Sequence, residues 1–275
     1  MPATKALLWV VLLGTGAAVI FFLAFPKYQP SFLKSKIAEL KGYTPAQTPS
    51  EAMEKFRDCM RARDYESAAR YCSGEYADYI KMGADPASKL VSAVDALADN
   101  VTSNGINSPD AKYVLDRMQP FPKDFKFTVK TSLSDPEYRD LTKLWPGAFP
   151  ADSIKTNTDK VAAALITFEL LQPGEAKTGR MNFQSFEGKI FLTLVPDPSH
   201  WNGLVGLKKE GNEKQESWKI YLPMTPDIRE KVDYLKQYGG NYVRALDNVK
   251  YSVKHDSATK NEFEGELSKQ LLEAK

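Results

Sequence analysis

Histidine and cysteine are nearly missing from this chain, with two of each in 275 residues. A metal centre of ordinary His/Cys spacing is thereby excluded, because His200 and His255 lie far from Cys59 and Cys72 in sequence. Also lacking are a glycine-rich phosphate loop and any metal-spaced histidine pair, so no cofactor and no metal are expected. There is no long basic block: 37 Lys and Arg nearly balance 35 Asp and Glu, leaving a formal charge of +2. No strong field draws a polyanion to such a surface, and no nucleic-acid partner is expected. Internal repeats and low-complexity tracts are absent too.

What is present begins with an uncharged run. Ala6 to Phe25 reads ALLWVVLLGTGAAVIFFLAF, and twenty helical residues rise about 30 Å, the thickness of a bilayer's hydrocarbon core. The run is longer than the apolar part of a signal peptide and ends in a poor peptidase site at Phe25-Pro26. The expectation is an uncleaved transmembrane anchor over residues 1–26, meeting the lipid bilayer through Ala6 to Phe25. Localisation follows as single-pass in the cell membrane, with the soluble domain extracytoplasmic. Lys27, Lys34, Lys36 and Lys41 stand on the wrong side of the span for that orientation, although long exported domains weaken the charge rule. Gly14 and Ala18 form a small-xxx-small pair, which makes a homodimer through the span a candidate.

Beyond a tether over residues 27–47, a composition of 43% hydrophobic and 11% aromatic residues can build a core. Residues 48–252 read as a single α+β domain with helical insertions at about 80–120 and 135–160, and residues 253–275 as a loosely held charged tail. Thr48-Pro49-Ser50-Glu51 carries a helix start: a capping hydroxyl, a proline at the first helical position and a glutamate three residues on. Asp64 caps a second helix. The same cap-then-proline order at Asp85-Pro86, Ser108-Pro109, Asp135-Pro136 and Thr225-Pro226 predicts further helix starts. Gly239-Gly240 predicts an interruption of the last of these.

The middle changes period. Phe125, Phe127 and Val129 alternate with Lys126, Thr128 and Lys130, a half-buried strand. Further strands are predicted at Val161–Leu171, Arg180–Phe186, Lys189–Val195, Leu204–Lys209 and Ser217–Leu222, with short turns that favour antiparallel pairing. The fold class expected is α+β: an N-terminal transmembrane helix, then helices packed on one face of a curved antiparallel sheet of about five or six strands, with C-terminal helices.

Two segments carry a family likeness. Pro49–Phe56 followed by Ala62–Tyr71, and the strand Glu216-Ser217-Trp218-Lys219-Ile220-Tyr221-Leu222-Pro223, resemble the opening helices and the last strand of nuclear transport factor 2-like domains. The resemblance implies a conical cavity between sheet and helices, used in that superfamily for small-molecule binding or for isomerase or dehydratase chemistry, or simply filled.

Candidates for lining such a cavity are Phe127, Phe168, Glu169, Phe183, Phe191 and Trp218. Glu169 is a carboxylate inside an apolar run, where burial would raise its pKa and suit it to act as a base; at a strand end it would instead face solvent. Asp197, Ser199 and His200 are too close in sequence to converge as a triad and read as a turn, so no catalytic residue is assigned. Trp145, in Leu144-Trp145-Pro146-Gly147, reads as a loop residue tucked against the core. Cys59 and Cys72, thirteen residues apart, are either a disulfide or two small buried hydrophobes. The function expected is a non-enzymatic, membrane-anchored interaction or scaffold protein of the cell envelope with a protein partner. The alternatives are a binder of a small apolar ligand in the cavity, and an isomerase- or hydrolase-like enzyme using a cavity carboxylate.

Overall fold

A computed structural model describes residues 44–120, 125–151, 159–168, 203–211, 216–255 and 262–274. All the described residues belong to one compact unit, within Thr44–Lys275.

Among the described residues four helices come first: α1 (Pro49–Arg61), α2 (Tyr65–Tyr71), α3 (Glu75–Ser103) and α4 (Pro109–Arg117). Three of them start on side-chain caps. Thr48 Oγ1 accepts from the Glu51 amide at 3.1 Å, Asp64 Oδ1 from the Ser67 amide at 3.1 Å, and Ser108 Oγ from the Ala111 amide at 3.0 Å. Glu51 does not close the box on Thr48; its Oε2 accepts instead from the Gln47 amide at 2.6 Å. Arg63, in the turn between α1 and α2, adopts a left-handed backbone with φ 59°. Its guanidinium forks to Asp95 of α3 at 2.9 Å and to Gln119 beyond α4 at 3.2 Å.

The strands are β1 (Phe125–Lys130), β2 (Val161–Phe168), β3 (Leu204–Glu210) and β4 (Ser217–Tyr221). They form one antiparallel sheet in sequential order β1-β2-β3-β4. The outer edge of β4 is occupied by two short stretches. The Trp218 amide donates to the Ala46 carbonyl, and Cys72 bridges Ile220 in parallel.

Helix α5 (Asp135–Leu144) lies between β1 and β2 in sequence. It is capped by Ser134, one residue before the expected Asp135, with Glu137 reaching back to the Ser134 amide at 2.8 Å. After β4 come α6 (Pro226–His255) and α7 (Phe263–Glu273). Helices α3 and α6 are the longest among the described residues, and they run side by side in the same direction. Glu75 pairs with Arg229 at 2.6 Å near their starts, and Pro86 approaches Gly239 about three turns further on.

Several expectations are corrected. The sheet has four strands among the described residues, in place of about five or six; the segments Arg180–Phe186 and Lys189–Val195 lie outside those residues. Helical structure packs on both faces of the sheet rather than one, because α5 and the chain after it cover part of the second face, around Val161, Ala163 and Tyr221. The membrane-spanning architecture is also corrected: among the described residues no helix is long and apolar enough to cross a membrane. The two longest, α3 and α6, carry charged side chains along their whole length. Residues 6–25, on which the anchor was expected, lie outside the described residues, as does most of the tether.

Asp85-Pro86 starts no helix, since α3 passes through it, and Gly239-Gly240 does not interrupt α6. A tail held loosely from residue 253 is replaced by α7, whose Phe263, Leu267 and Leu271 are buried while Glu264 accepts from Ser108 Oγ.

Candidate functional site

Alternation along the strands sorts the sheet residues into two faces. On the face toward α1, Phe56 meets Phe125 with ring centroids 5.8 Å apart, and Phe125 meets Phe127 at 6.1 Å. The Arg57 guanidinium lies 5.0 Å above the Phe127 ring, so the half-buried Phe127 is covered by a cation from the chain itself. Trp218 is buried on the same face, beside Ile220. The structure does not bring Phe127 and Trp218 together. They sit on opposite edge strands, three strand spacings or about 14 Å apart.

Phe168 ends β2, with its backbone opposite Phe125. Glu169, Phe183, Phe191 and His200 lie outside the described residues. His255 stands at the exposed end of α6 with its ring 4.4 Å from that of Tyr251.

The second face holds a cluster that sequence reasoning did not anticipate. Phe149 sits directly over Gly206 of β3, where a Cβ would fall 2.8 Å from two of its ring atoms. Its ring meets Tyr221 edge-on at 5.2 Å, and Trp145 completes the group at 6.0 Å from Phe149 and 6.4 Å from Tyr221. Tyr138, Leu141, Val161 and Ala163 close the cluster around them. Polar ties hold the covering segment down: Lys208 Nζ donates to the Ala148 carbonyl at 2.7 Å, Trp145 Nε1 to the Leu222 carbonyl at 3.4 Å, and the Tyr138 hydroxyl to the Pro150 carbonyl at 3.1 Å. Two sequence signals bear on it: Trp145, read as a loop residue tucked against the core, and Gly206 inside the strand Leu204–Glu210, where a glycine marks close approach.

At the rim of this cluster two groups from the neighbouring strands β3 and β4 meet a third from a distant part of the chain. Glu210 of β3 accepts from Ser73 Oγ, between α2 and α3, at 2.9 Å, and from the Tyr221 hydroxyl of β4. Burial, reinforced by that carboxylate, pushes the Tyr221 phenol up to about 12. This is the arrangement nearest to a reactive one among the described residues. Both hydroxyl protons already point at the carboxylate, and the tyrosine stays protonated at neutral pH, so the trio satisfies itself and offers no ready base.

Cys59 and Cys72 are both free thiols in this structure. Burial pushes Cys59 up to about 12, with Asp64 and Asp58 adding to it, and burial raises the fully enclosed Cys72 further. Thiols so protonated are poor nucleophiles and poor metal ligands. Among the described residues no group of three or more His, Cys, Asp or Glu side chains is placed to hold a metal ion. The chain matches no protein-family model, no curated protein and no solved structure.

Proposed function

We propose that this chain is a non-enzymatic interaction or scaffold protein whose partner is another protein. The supporting observation is how the aromatic side chains of the sheet are used. Phe125 and Phe127 pack on Phe56 and Arg57, while Tyr221 packs on Phe149 and Trp145 over Gly206. Of the side chains expected to line a cavity, the two that are described are engaged within the chain: Phe127 lies under Arg57, and Trp218 is buried. The polar group nearest to a catalytic arrangement, Ser73-Glu210-Tyr221, is closed on itself. The nuclear transport factor 2-like reading belongs to the same proposal, and the helix pair α1–α2 followed later by an antiparallel sheet ending in β4 supports it.

Native mass spectrometry of the full chain, together with photocrosslinking in cells from Thr128 and Thr167 on the exposed part of the second sheet face, tests this reading. The expected result is an unliganded mass and a crosslink to one discrete protein. A stoichiometric small molecule carried through purification would overturn it in favour of the cavity binder, and turnover of such a molecule would point to the enzyme.

A further inference from the structure

We draw no further inference here: the strongest candidate, the patch on the second face of the sheet where the 54% exposed Leu165 lies between Thr128 and Leu204, carries nothing, because nothing in the structure shows what covers it.

Discussion

Gly206 has no side chain in a place where none would fit. A Cβ there would stand 2.8 Å from Cε2 and Cζ of Phe149 and 3.3 Å from Trp145. Phe149 is fully buried and its ring is hemmed in by Tyr221 and Trp145, so it cannot swing away as a flexible tip would. Gly206→Ala is therefore expected to destabilise the fold by about 1–3 kcal/mol, the range for overpacking a filled core. Urea denaturation followed by tryptophan fluorescence measures this, and an unchanged midpoint would mean that Phe149 does not sit over β3.

Titration adds a second expectation at the same scale. In an unfolded chain thiols and phenols lose their protons near 8.5 and 10, whereas folding holds Cys59 and Tyr221 protonated to about 12. Between about 9 and about 12 the native state thus binds protons that the unfolded state has released, and stability falls as pH rises. Denaturation midpoints at a series of alkaline pH values should decline, with a shallower decline in Cys59→Ala. Equal slopes for the two proteins would remove Cys59 from the account. Slow alkylation of both thiols under native conditions and rapid alkylation in denaturant is the accompanying chemical check.

Among the elements, helix starts were legible and helix continuity was not. Thr48, Asp64 and Ser108 cap where a short polar side chain precedes an apolar repeat, because a cap is made within four residues. By the same local grammar Asp85-Pro86 reads as a new start and Gly239-Gly240 as an interruption, and α3 and α6 run straight through them. The reason is mutual: Pro86 and Gly239 face each other, and a helix that buries a stripe against a neighbour withstands a proline costing about 3 kcal/mol.

Gly239 and Gly240 then differ in a way that can be measured. A Cβ on Gly240 meets nothing within 4 Å, so Gly240→Ala should gain about 0.5–1 kcal/mol from reduced freedom of the unfolded chain and better helix propensity. At Gly239 the added methyl would lie 3.3 Å from Leu235 Cδ1 and 3.7 Å from Pro86 Cβ, so its gain should be smaller. Thermal melts of the two single variants compare them directly, and a larger gain at Gly239 would contradict the packing described.

For the whole molecule, the C-terminal helix is the sharpest departure from the sequence reading. Its charged composition suggested a loose tail, yet Phe263, Leu267 and Leu271 come one turn apart and dock on α6. Burying three such side chains is worth about 1.5–3 kcal/mol each. Truncation after His255 should accordingly lower stability by several kcal/mol and expose apolar surface, read as a drop in melting temperature and a rise in binding of a fluorescent apolar dye. A truncated chain that melts with the full-length protein would show α7 to be dispensable.

Capping hydroxyls, the alternation from Phe125 to Lys130 and the closing strand at Ser217–Tyr221 were set by the sequence itself, since each depends on residues within a few positions of one another. Three arrangements were decided only by the tertiary structure: the partly covered second face of the sheet, the parallel pairing of α3 with α6, and the docking of α7. Each joins residues tens to more than a hundred positions apart, and local periodicity carries no information about which distant surface will exclude water from a given apolar stripe.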